Sequence, residues 1–155
     1  MVNLHEELIA LISALEDSKI DYALCGGLAM SVHGHYRATD DIDLLIRSES
    51  LEEIKNIARS LGYVIEAQPM TFAKGAVEIR RLSKIDKESG FVLSLDMLLV
   101  TPETETAWES RTEFDWASQK LKVVSREGLI ALKTFRNNGQ DQDDIKYLQE
   151  VQDES

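Results

Sequence analysis

From Asn3 onward, Leu4, Leu8, Leu11, Ile12 and Leu15 recur at three- and four-residue steps with polar residues between them. That spacing predicts an amphipathic helix over 4–17, with Asn3 as its cap and Glu6 three positions on. The apolar run from Asp21 to Cys25 is too short for a helix and ends in Gly26-Gly27, as a buried strand entering a tight turn would. Leu28 to His33 reads as a short helix stopped by Gly34. Asp41 to Arg47 is mostly apolar rather than alternating, which fits a strand covered on both faces. Leu51, Ile54, Ile57, Ala58 and Leu61 mark a second amphipathic helix over 49–61, ended by Gly62.

Beyond Gly62, Tyr63 to Glu66 and Ala76 to Leu82 read as strands joined by a loop that holds Pro69 and Gly75. Phe91 to Val100 carries the strongest strand pattern and stops at Thr101-Pro102. Thr104 to Arg111 reads as a helical turn, and Phe114 to Ser118 with Leu121 to Val124 as a further strand pair. Ser125 caps a helix through about Asn137, which Asn138-Gly139 breaks, and a last helix runs from about Asp141 to Val151. Strands and helices interleave without repeats or low-complexity linkers. The pattern predicts an α/β or α+β fold with a mixed sheet flanked by helices.

Composition narrows this picture. At 155 residues, 43% hydrophobic and 29% charged, the chain is long enough for one domain, 1–155, with its own core. The single cysteine, Cys25, lies in an apolar run and reads as a small buried hydrophobe, in keeping with a reducing cytoplasm. No apolar run approaches membrane-spanning length, so no membrane association is expected. A formal net charge of −11 argues against a broad footprint on a nucleic-acid backbone, although it leaves room for a locally basic pocket.

Two anomalies carry the chemistry. Asp41 and Asp43 lie two apart on a strand whose other members, Ile42, Leu44, Leu45 and Ile46, are apolar, so both carboxylates project to one side. An isolated Asp-x-Asp is more often two exposed acids, but acids on a buried strand need a partner, and a divalent cation is one. Asp96 is the second anomaly, set in the apolar run FVLSLDMLLV. It is either satisfied by backbone donors or an arginine from elsewhere, or it completes a two-metal site as a ligand or general base. Gly26-Gly27, after a strand and before a helix, could let a triphosphate approach backbone N–H groups. Ser31 either adds a hydroxyl there or is a plain helix serine. Asp40, next to the pair, reads as a turn or capping residue. His33 and His35 lack a third nearby ligand for zinc, and Trp108, Trp116 and Tyr147 read as packing residues.

Gly26-Gly27, thirteen intervening residues and then Asp41-Ile42-Asp43 resemble the signature of the DNA polymerase β-like nucleotidyltransferase superfamily. Within it, HGHYRATDDIDLLI, with Arg37 and Thr39 ahead of the acidic pair, resembles the small bacterial minimal nucleotidyltransferases, including those paired with antitoxins in abortive-infection systems. LIALKTFRNNGQDQDDIKYL resembles the same group's Leu-x-x-Lys helix and Asp-x-x-Asp-Ile element.

The resemblance implies Mg2+-dependent transfer of a nucleoside monophosphate from an NTP to an acceptor, with two ions and Mn2+ as an alternative. Gly26 and Gly27 would hold the triphosphate, Asp41 and Asp43 both metals, and Asp96 would be the third carboxylate. Lys133 would reach the β- and γ-phosphates or else cover the core's rim. Arg37 would contact phosphate or acceptor, or pair with Asp40. Asp144 reads as a structural hydrogen-bonder rather than a metal ligand, since three carboxylates already suffice. The tail departs from the group by carrying Asn138, Gly139 and Gln140 before Asp141 rather than a basic residue, which weakens contacts to an RNA acceptor; Arg136 could partly substitute. The acceptor is a protein hydroxyl, a small molecule or a tRNA end, and an antitoxin is an expected partner. Two rival readings are a catalytically silent nucleotide- or partner-binding module of the same fold, and a metal-dependent hydrolase without NTP specificity.

Overall fold

The computed structural model describes residues 3–36, 38–116, 118–136 and 144–149. Helix α1 (Leu4–Asp17) begins where the pattern predicts, with the Asn3 side chain accepting from the Glu6 N–H at 3.2 Å. It buries Leu8, Leu11, Ile12 and Leu15. Each such side chain contributes about 1.5–3 kcal/mol on leaving water, which fixes the helix to the sheet more firmly than its intrinsic propensity could.

The chain continues through β1 (Ala23–Cys25), α2 (Gly26–Val32), β2 (Asp41–Ile46) and α3 (Leu51–Ser60). Next come β3 (Ile65–Glu66), β4 (Met70–Phe72), β5 (Val77–Ile85) and β6 (Val92–Leu99). The described part ends with α4 (Glu105–Glu109), β7 (Thr112–Trp116), β8 (Gln119–Val123), α5 (Arg126–Arg136) and a helical segment, α6, over 144–149. Gly62, at φ +101°, turns the chain sharply out of α3, a conformation that other residues adopt only under strain.

The sheet follows the order β3-β5-β6-β2-β1-β8-β7, with β4 paired to β5. It is mixed: β2 runs parallel to β6 and β1 parallel to β8, while the other pairs are antiparallel. The central strand β2 is covered as its composition predicts, with Ile42, Leu44, Leu45 and Ile46 fully buried. Helices α1 and α3 pack against each other, as do α4 and α5. The Tyr22 hydroxyl accepts from the Lys122 N–H at 3.1 Å and ties the entry of β1 to β8.

Three differences from the sequence reading have local causes. The stretch read as a loop between β3 and β5 contains strand β4, whose three residues lack the length that marks a strand in sequence. Helix α2 starts at Gly26, so the glycine pair is both the turn and the first residues of the helix. Residues 48–50 form a 3-10 turn that precedes α3 rather than its first turn. The predicted last helix over 141–151 falls within the described residues only at 144–149. Among the described residues, no helix is long and apolar enough to cross a membrane.

Candidate functional site

The register of four adjacent strands assembles the site. Cys25 on β1 pairs with Asp43 on β2, Asp43 with Asp96 on β6, and Asp96 with Arg81 on β5. Directly opposed residues share a face of a sheet, so these side chains form one row across it. One step along, Asp41 lies opposite Ser94, which lies opposite Ser83; the two serine hydroxyls are 3.0 Å apart. Asp41 therefore stands on the same face as Asp43, as the two-residue spacing requires.

This face opens into a cleft of about 250 Å3. Gly26, Gly27, Thr39, Asp41, Asp43, Arg81, Asp96 and Lys133 supply its polar wall, and Met70, Phe72, Val77 and Ile79 an apolar one. Helix α5 brings in Lys133 together with Leu129 and Leu132. Of the residues singled out in sequence, the glycine pair, the three acids and Lys133 thus come together. Ser31 does not join them: its hydroxyl donates to the Gly27 carbonyl at 3.3 Å, the back-bond of an ordinary helical serine. Arg37 lies outside the described residues, and so do Asp141 and the Arg136 side chain. Asp40 is exposed immediately before β2.

Gly26 shows how tightly the turn and the acids fit. Its φ is +68°, and a Cβ there would stand 2.0 Å from Asp43 Oδ2 and 2.6 Å from Cγ. The carboxylate thus occupies space that any other residue at position 26 would take.

Asp96 is held by an arginine from elsewhere. Arg81 Nε donates to Asp96 Oδ1 at 2.6 Å and its Nη2 to Oδ2 at 2.8 Å, a two-pronged contact. The pairing raises the guanidinium's pKa above its already high value, and the charges of Asp41 and Asp43 reinforce the shift. Sequence reasoning left this arginine unidentified. The available signal was the unpartnered Asp in an apolar strand, but only the β5–β6 register decides that Arg81 rather than Arg80 meets it.

Lys133 is buried rather than lying at the rim, with 4% of its surface exposed. Its Nζ stands 2.9 Å from Oδ2 of Asp144, a charge contact without hydrogen-bond alignment. Asp144 is fully buried and also lies 3.4 Å from His35 Nε2, which accords with a structural role for this acid. His33 Nε2 is 2.9 Å from the Val124 carbonyl, so the two histidines serve different partners. Trp108 lies between two guanidinium groups, Arg111 at 4.0 Å and Arg47 at 5.3 Å, and Trp116 packs on His5. Both are packing roles.

The donor chemistry suits a hard divalent cation. Asp41 and Asp43 offer carboxylate oxygens on one strand face in an open cleft, and magnesium commonly takes one or two carboxylates plus substrate phosphates. Among the described residues, no group of three or more His, Cys, Asp or Glu side chains is arranged to hold a metal ion. Both Asp96 oxygens accept from Arg81, so the residues that fit a cation here are Asp41 and Asp43.

The model of a family described as nucleotidyl transferase AbiEii toxin, of type IV toxin–antitoxin systems, matches residues 10–147. Solved structures share the fold. The lincosamide antibiotic adenylyltransferase LnuA, in its lincomycin-bound crystal structure, aligns with a TM-score of 0.64 at 20% identity, over 93% of this chain and 95% of that one. ANT(2'')-Ia in complex with adenylyl-2''-tobramycin gives 0.65 at 16% identity, over 94% and 88%. A nucleotidyltransferase candidate from Thermotoga maritima gives 0.63 at 14% identity, over 100% and 97%. No curated protein matches the sequence at significance.

Proposed function

Because the chain belongs to the AbiEii nucleotidyl transferase family, we propose that its cleft transfers a nucleoside monophosphate from an NTP to an acceptor hydroxyl with Mg2+ bound by Asp41 and Asp43. The observation that carries this reading is the meeting of the glycine turn, three carboxylates and a buried lysine in one cleft. Phosphoryl-type transfer asks a protein mainly for positioning and charge neutralisation, and these groups are of the kinds it needs. Bound Mg2+, or Mn2+ in its place, would neutralise phosphate charge and polarise the attacking hydroxyl.

Gly26 and Gly27 line the cleft and carry no side chains of their own, so a triphosphate could approach their backbone. Lys133 lines the same cleft, from where its ammonium, now beside Asp144, could meet the triphosphate. Asp96 lies beside Asp43 across the β2–β6 pair, where it can orient the acceptor hydroxyl or bind a second ion. The acceptor belongs to a protein, a small molecule or a tRNA end, and the net charge of −11 weighs toward the first two. Membership of a toxin family makes an antitoxin the expected partner in the cell.

The test is pyrophosphate release from each labelled NTP with Mg2+, comparing the wild-type chain with Asp43→Asn. Release that drops about a hundredfold or more in the variant, with unchanged circular dichroism, supports the assignment. Undiminished transfer sinks it. One observation favours a second reading, a nucleotide-binding module without turnover: Arg81 already neutralises Asp96. Saturable NTP binding with no pyrophosphate release would establish that module instead.

A further inference from the structure

We propose that Arg81 is a displaceable internal cation, holding Asp96 until a divalent ion takes that carboxylate. The inference rests on the reading of Asp41 and Asp43 as cation ligands, and it adds a positioning residue and a control step to that site.

Three observations converge on Arg81. Its fork meets both oxygens of Asp96, at 2.6 and 2.8 Å, so each is occupied by a donor. The partners are unequally buried: the Asp96 side chain is 7% exposed and that of Arg81 38%. The carboxylate is buried in the sheet, whereas the guanidinium is partly exposed and can turn toward water without leaving a buried charge of its own. Finally, the β2–β6 register sets Asp96 directly beside Asp43, so an ion on Asp43 is next to the carboxylate that Arg81 holds.

The electrostatics favour exchange over coexistence. An entering divalent ion brings two positive charges to a row in which Arg81 supplies one, and the two cations repel at close range. Asp96 cannot give both oxygens to Arg81 and ligate a metal at once. The Arg81-bound form is thus incompetent for three-carboxylate binding, and apparent metal affinity is reduced by the fraction of molecules in that form.

The experiment is a Mn2+ titration of the full chain without nucleotide, following the electron paramagnetic resonance signal of free Mn2+. It compares wild type, Arg81→Gln, Arg81→Lys and Asp43→Asn. Arg81→Gln should bind Mn2+ on the order of tenfold more tightly than wild type. Arg81→Lys, which keeps the charge but loses the fork, should fall between them, and Asp43→Asn should bind much more weakly. Equal or weaker binding by Arg81→Gln, with Asp43→Asn still impaired, overturns the Arg81 inference and leaves the cation site standing. Mn2+ binding insensitive to Asp43→Asn removes the site itself, and the inference with it. Should Arg81→Gln fold poorly because Asp96 is left buried alone, thermal melts decide. A larger Mn2+-induced rise in Tm than in wild type supports displacement, and an equal or smaller rise overturns it.

Discussion

Gly26 and Asp43 are so close that a methyl group on the glycine would lie 2.0 Å from the carboxylate oxygen. The backbone at Gly26 is also left-handed, at φ +68°. Gly26→Ala therefore meets two penalties, strain of about 1–3 kcal/mol at the backbone and displacement of Asp43. A drop in Tm accompanied by near-complete loss of NTP-dependent pyrophosphate release is expected. Full activity in a variant of lowered Tm would show that Asp43 tolerates displacement.

Ser31 tests the opposite expectation. Its hydroxyl bonds back to the Gly27 carbonyl and does not reach the cleft. Ser31→Ala should keep its rate within about twofold and its stability within about 1 kcal/mol, since it removes one intrahelical side-chain bond. A large loss of NTP affinity would return the serine to the nucleotide site.

Lys133 has a proposed role toward the triphosphate besides its contact with Asp144, and one pair of variants can separate the two. Lys133→Met removes the ammonium beside the fully buried Asp144, which keeps His35 at 3.4 Å, and should cost up to about 3–5 kcal/mol, read from urea unfolding. Lys133→Met combined with Asp144→Leu should recover much of that stability, because a buried ion pair exchanged for apolar groups is often neutral. Transfer should not recover, since the charge facing the phosphates is gone. Recovery of both would reduce Lys133 to a structural role.

The protein should lose stability as pH falls below about 6.5. Burial lowers the His33 pKa from 6.5, and the nearby Arg126 adds to the effect, against a raising contact with the Val124 carbonyl. Between the unfolded value and the lower folded one, the unfolded chain binds more protons, so acid favours unfolding in that window. His33→Gln, which can still donate to Val124, should flatten the decline in urea midpoint between roughly pH 7.5 and 5. An unchanged slope would assign the pH dependence to other groups.

The hydrophobic pattern reveals α1 with its cap, and α3 and the β7–β8 hairpin to within a few residues, because each buries a stripe or face that periodicity exposes. The strand–turn–helix at Cys25 and the acidic pair on β2 are equally legible, since glycines and carboxylates stand out in apolar surroundings. Strand β4 is not: three residues at a sheet margin carry too little pattern. Arg81 and the Lys133–Asp144 contact stay hidden for another reason. Each depends on which residues a long-range register or helix docking brings opposite, and local sequence does not encode that choice.

The parallel pairing of β2 with β6 joins residues 41–46 to residues 94–99, with α3 and three strands between them in the chain. Closing so long a loop costs entropy before any contact repays it, which slows the folding of a sheet built on such pairings. The cleft thus needs distant parts of the chain together: residues up to β2 carry Gly26, Asp41 and Asp43, while Arg81, Asp96 and Lys133 come from β5, β6 and α5.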